Sequence, residues 1–255
     1  MVNKNIVKEK IYFSLFRLSA IFSIVILLFI LFYIFNKGAH VVDIKFLTHM
    51  WSHRDITQGG IFPAIIGTIL LAIGVSIISI PIGIFTAIYL NEYAKENIFT
   101  RIINLAIRNL AGVPSIVYGI FGLAFFVLFL NFGTSLVAAS LTLACMTLPW
   151  IITASEESLK SIPLSFREGS YALGATKWQT IRNNVLPHSL SGMITGSILG
   201  ISRAIGETAP MIMVGATFYM SNLPSSPFDK FMALPYHLFI LATQHSSPHA
   251  KEYAF

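Results

Sequence analysis

The sequence predicts an all-α fold, a polytopic transmembrane helical bundle, and three observations lead there. The first is composition: hydrophobic residues make up 55% of the 255 residues, charged residues 11%, and the mean hydropathy is +0.73. A soluble domain carries about 25% charge. The second is a series of uncharged runs near or above the ~20 residues that a spanning helix needs. The third is a sorting of basic residues between alternate connections. This composition excludes a disordered chain, a nucleic-acid binder with a basic face (despite a net charge of +6) and nearly every soluble enzyme. One cysteine, Cys145, excludes an internal disulfide framework and a cysteine metal site.

Five spans follow in order. Arg17 precedes an uncharged run, Leu18 to Asn36, too long for a signal peptide and without a small-residue cleavage site. Span two lies at about Phe62 to Leu90, where Pro81 predicts a tilt or kink. Arg108 and Glu156 bound the longest uncharged stretch, split by the turn signal Asn131-Phe132-Gly133-Thr134. It holds span three, Ala111 to Leu130, and span four, Ser135 to Ala154. Span five runs from Pro187 to about Phe218. With the N-terminus in the cytoplasm, eleven Lys and Arg residues fall in inner segments and five in outer ones, as the positive-inside rule requires. The expected organisation is 1–60, a span plus outer connector; 61–220, the core, with an inner loop at 156–188; and 221–255, an outer segment. Its apolar piece Phe231–Thr243 is too short to cross and contains Pro235.

The inner loop is patterned. Ser165 to Glu168 has capping-box spacing and predicts a short helix closed by Gly174. Thr176 to Gln179 offers a second box, opening a helix with Trp178, Ile181 and Val185 on one face and ended by Leu186-Pro187. Two readings stay open: a membrane-surface hairpin, or a docking element for a cytoplasmic partner. Within span five, Arg203 and Glu207 are four apart and share a helix face. A central arginine costs about 2.5–3.5 kcal/mol on insertion scales, so it needs a partner or a wet cavity. The pair is either an ion pair that lets the helix insert or an anion site on a pathway, since a guanidinium fork binds phosphate oxygens in pairs. Gly192, Gly196 and Gly200 form a ladder for close helix packing.

Other signals are weak. His49 and His53, and His245 and His249, have spacing that two metal ligands can use, but Pro248 interrupts the second pair and no carboxylate is well placed. No metal is expected. Glu156 and Glu157 read as a solvated helix end. No P-loop, nucleophile elbow or metalloprotease helix occurs, so the chain is read as neither an enzyme nor an ATP-binding subunit.

Glu168-Gly169-Ser170-Tyr-Ala-Leu173-Gly174, followed by Leu186-Pro187, resembles the EAA motif of ABC importer permeases, with Gly169 and Ser170 in place of the two alanines and Asn184 at the isoleucine position. Three further segments, Asn109–Gly119, Leu173–Ile181 and Arg203–Pro210, resemble the PstA-type permeases of phosphate-specific importers, and the likeness covers about Ile61 to Tyr219. It implies a permease of the bacterial plasma membrane that forms half of a pathway for inorganic phosphate. The implied partners are a sister permease, an ATPase dimer carrying ATP and Mg, and an extracytoplasmic phosphate-binding protein; no cofactor is expected in this chain. Glu168, Gly169, Ser170, Leu173, Gly174, Leu186 and Pro187 would meet the ATPase, and Arg203 and Glu207 would handle phosphate. Members usually have a sixth span, expected beyond Phe255. A permease for sulfate, molybdate or another small solute, or a truncated non-transporting scaffold or signalling partner in the same complex, are the alternatives.

Overall fold

The computed structural model describes residues 2–52, 59–220, 222–243 and 253, and among these it is helical apart from connections and one isolated bridge, Ala216 to Phe231. The first helix, α1 (Val2–Gly38), exposes every side chain from Lys8 to Lys37. At 1.5 Å per residue it is about 55 Å long, more than the ~30 Å of a hydrocarbon core. Asp43 caps the short α2 (Ile44–Thr48) by accepting from the Ile44 amide at 2.7 Å. Helix α3 (Phe62–Ile88) begins with Pro63 in its first turn, where a missing N–H costs nothing, runs through Pro81 and ends in a π turn, Tyr89–Tyr93.

An amphipathic helix comes next that the sequence reading missed. Asn97 caps α4 (Ile98–Ala111) through the Thr100 amide. Arg101, Asn104 and Arg108 share one of its faces. Span three therefore starts at Ser115 rather than Ala111: α5 (Ser115–Gly122), with a π continuation Leu123–Phe129, leaves α4 at 102°. Pro114 causes this, because the residue before a proline avoids helical backbone. Asn131 and Gly133 then take positive φ, as their turn requires.

Helix α6 (Leu136–Lys160) is the central post, packed by α3, α4, α5 and by α9 and α10, which follow. Beyond it lie α7 (Leu164–Ala172), α8 (Lys177–Thr180) with a π turn Ile181–Val185, α9 (Leu186–Ile205), α10 (Ala209–Val214) and α11 (Leu234–Thr243). Without a hydrophobic force between helices in lipid, close approach must come from small residues. Gly74 of α3 faces Ser140, and Gly122 of α5 faces Thr142. The ladder Gly192, Gly196 and Gly200 of α9 meets Ser158, Ala154 and Thr147 in turn, so it serves this chain's own α6.

Three expectations of local structure fail in the spans and the loop. By length and apolarity three helices, α1, α3 and α6, qualify to cross a membrane, and α4 with α5 adds a fourth as a bent pair. Helix α9 has 20 residues, about 30 Å, but is less apolar. Span five does not run on to Phe218; it stops at Gly206, because Pro210 cannot donate to the Gly206 carbonyl. The Ser165–Glu168 capping box does not form, because Pro163 presets the first turn and leaves Ser165 inside the helix. Nor does Leu186-Pro187 end the second loop helix: the π turn accommodates the proline, and α8 and α9 share one helical backbone. That wider turn buries Ile181 and Val185 but leaves Trp178 exposed.

The end of the bundle remote from α7 is sealed by the chain after α10. The Asp229 and Pro227 carbonyls accept from the Leu136 and Val137 amides at 3.0 Å each, satisfying free donors of the α6 first turn. The Leu234 amide donates to Thr68 Oγ1 of α3 at 2.9 Å, and α11 buries His237 and Leu241. Within this seal the Ser226 amide, the Ser225 hydroxyl and the Ser225 amide donate to Asp229 Oδ2, and hold its carboxyl below its ordinary value of 3.8. A depressed folded-state value means that the contribution is complete above ordinary carboxylate pH and is lost as pH falls through the folded value. Protection of the Ser225 and Ser226 amides in hydrogen exchange is expected to persist as pH falls through the ordinary carboxylate value and to vanish at neutral pH in Asp229→Ala, which has no acceptor oxygen. Protection unaffected by that substitution would refute the assignment.

Candidate functional site

The charge pair lies where α9 stops. Arg203 is in the last turn of α9, where a cation suits the helix C-terminus. Glu207 lies beyond Gly206, so the two do not share one helix face, yet the pair forms: Arg203 Nε is 3.8 Å from Glu207 Oε1. Side chains tilt toward the helix N-terminus, which carries the guanidinium back along α6. Its Cζ sits 4.6 Å from the ring centroid of Trp150, a cation–π contact that no sequence pattern signals. Trp150 is ten residues from the end of α6, about 15 Å into the bundle.

Arg203 is thus held on one edge and one face. Its side chain is 51% exposed, Glu207's only 18%, and no described protein group hydrogen-bonds to either Nη. Those nitrogens are the pair that a guanidinium offers to two oxygens of a tetrahedral anion. A half-exposed arginine at this depth does not face hydrocarbon without great cost. On a helix that crosses a membrane, an exposed side such as that of Arg203 and Trp150 calls for a wet path or another chain.

The loop residues form a second cluster. Thr176 and Gln179 make the capping box as expected, and Gly174 takes φ +81, open to glycine without strain. Ser170 is buried, its hydroxyl 2.9 Å from Thr180 Oγ1, which ties α7 to α8. Glu168, Gly169 and Gly174 are exposed, and Leu173 is 90% exposed at the tip. Leu164, Phe166, Tyr171 and Trp178 are exposed around it. Leu186 is half-buried and Pro187 exposed at the start of α9, away from the tip. A further member, Glu92 in the π turn after α3, had no local signal; it meets Arg167 across 75 positions. Glu156 bonds Lys160 at 2.9 Å, as a helix end does. His53, His245 and His249 lie outside the described residues.

The model of the binding-protein-dependent transport system inner membrane component family matches residues 79–243. The phosphate transport system permease protein PstA 1 of Mycobacterium tuberculosis is 32% identical over 223 residues, 85% of this chain and 72% of that protein. PstA of Mycobacterium leprae is 34% identical over 234 residues, 89% of this chain and 75% of its own length. A chain of the inward-facing MetNI methionine ABC transporter shares the fold, with a TM-score of 0.60 at 18% identity, over 76% of this chain and 87% of that one. The protein is a multi-pass ABC transporter permease, a membrane component rather than a catalytic one, and it belongs to the family of binding-protein-dependent transport system inner membrane components.

Proposed function

We propose that the chain is one membrane-spanning half of an ATP-driven importer of inorganic phosphate, with its N-terminus and its 156–188 loop in the cytoplasm. The observation that carries the anion is Arg203, fixed by Trp150 and Glu207 with both Nη left for a ligand. Relatives bearing the name phosphate transport system permease support the choice of phosphate. Glu207 holds Arg203 until an anion competes for it, and weak, competed binding lets a transporter release its cargo. The chain performs no covalent chemistry; ATP and Mg belong to a separate ATPase dimer, a sister permease supplies the other half of the path, and an extracytoplasmic binding protein delivers phosphate.

Labelled phosphate uptake by the assembled complex in proteoliposomes tests this. Uptake should require ATP and resist a hundredfold excess of sulfate or molybdate. Uptake of either competitor in place of phosphate would overturn the choice of anion.

The loop tip is proposed as the ATPase contact. Leucine at 90% exposure has no packing role in this chain. Leu173→Glu should therefore leave the thermal midpoint of the isolated chain within about 1 °C, while co-purification of the ATPase falls at least tenfold. Unchanged co-purification would move the contact elsewhere.

A further inference from the structure

Glu92 and Arg167 form the best-buried ion pair among the described residues. Arg167 Nη2 lies 2.7 Å from Glu92 Oε1, and the side chains are 13% and 6% exposed. The same guanidinium donates from Nη2 to the Leu159 carbonyl at 3.1 Å and from Nη1 to the Ile162 carbonyl at 3.0 Å. These carbonyls belong to the end of α6 and the link after it, where acceptors lack intrahelical donors. Glu92 is braced in turn by Asn91 Nδ2 at 2.8 Å. One side chain of α7 therefore grips the ends of both α3 and α6. Apart from it, α7 packs mainly on α8 and the π turn leading into α9.

The geometry suits transmission. A lysine would supply charge without a fork, whereas the planar guanidinium reaches several acceptors in fixed directions. A buried, multiply bonded pair also resists slipping, because removing one partner strands the other charge. The π turn matters too: its wider winding places Glu92 past the end of α3 and toward α7.

We propose that the Arg167–Glu92 pair is the linkage through which displacement of α7 is passed to α3 and α6. The inference rests on the reading of the loop as the ATPase contact. Both are positioning residues, buried behind the exposed loop tip and acting through the helices they join.

The test uses the assembled complex in proteoliposomes, with uptake and ATP hydrolysis measured on one sample. Glu92→Gln, Arg167→Met and the double variant are compared with wild type. Each single variant should keep ATP hydrolysis within about twofold and lose at least tenfold in anion moved per ATP. The double variant should be no worse than the worse single, and Arg167→Lys should fall between. Unchanged anion per ATP in both singles would overturn the proposal. So would parallel loss of hydrolysis and uptake, which would make the pair a requirement for docking. Should wild type move another anion, the ratio is read on that anion, so the choice of phosphate can fail while the linkage stands. A double-mutant cycle on the thermal midpoint of the complex reads the pair without transport, and additive shifts would count against it.

Discussion

Arg203→Ala is expected to abolish phosphate uptake, at least a hundredfold, in a complex that still assembles and still binds its ATPase. Arg203 is on the exposed side of α9 and touches α6 only through the half-exposed Trp150 ring; the buried face of α9 is carried by its glycines, Met193 and Ala204. Its loss therefore removes the ligand fork and leaves the fold. Arg203→Lys should recover little, because an ammonium lacks two coplanar donors and binds an aromatic face less well. Glu207→Gln separates the pair's two roles: if Glu207 competes with the anion, half-saturation should fall as turnover slows. Wild-type uptake by Arg203→Ala would end the assignment of this site.

A different kind of failure is expected from Gly196→Leu. A Cβ at Gly196 would fall onto the Ala154 Cβ, nearer than atoms approach. Overpacking of this sort costs about 1–3 kcal/mol or more, a large part of the 5–15 kcal/mol by which a domain is stable. The Arg203–Trp150 contact spans the same α6–α9 interface, so parting the helices also dismantles the charge site. Folded protein recovered from membranes should fall several-fold. Gly196→Ala should lower the thermal midpoint, and Ala154→Gly should restore part of the loss in the pair. Gly169→Ala is the control: nothing lies within 4 Å of its Cβ position, so stability should hold or rise. A Gly196→Leu protein with the wild-type midpoint would mean that the ladder is not packed as described.

Features decided by few neighbouring residues were legible in the sequence. Uncharged runs located the apolar helices, Gly174 closed its helix, and Thr176–Gln179 capped the next, since each depends on local backbone chemistry. Capping-box spacing alone misled at Ser165, where Pro163 had already begun the helix. The break at Gly206 was written in Gly206 and Pro210 but hidden by the apolar residues around them. Helix α4 carried its amphipathic pattern in plain view and was absorbed into an uncharged-run argument that starts only after Arg108. Arg203 and Glu207 could be picked out because charge is rare in a span, whereas Trp150 and Glu92 could not. An aromatic in an apolar run and a glutamate after one are ordinary; only the fold brings them to their arginines. The face served by the glycine ladder likewise needed Ser158, Ala154 and Thr147 beside it.

From Lys177 to Ile205 the backbone is helical without interruption through the π turn, a rod of roughly 43 Å at 1.5 Å per residue. One end adjoins the exposed loop and the other carries Arg203. Such a rod is a lever: a tilt of ~5° about its foot sweeps the far end through nearly 4 Å at that length. That displacement exceeds the length of a hydrogen bond. Trp150 stays with α6, so a swing of this size is enough to exchange one set of partners around the guanidinium for another.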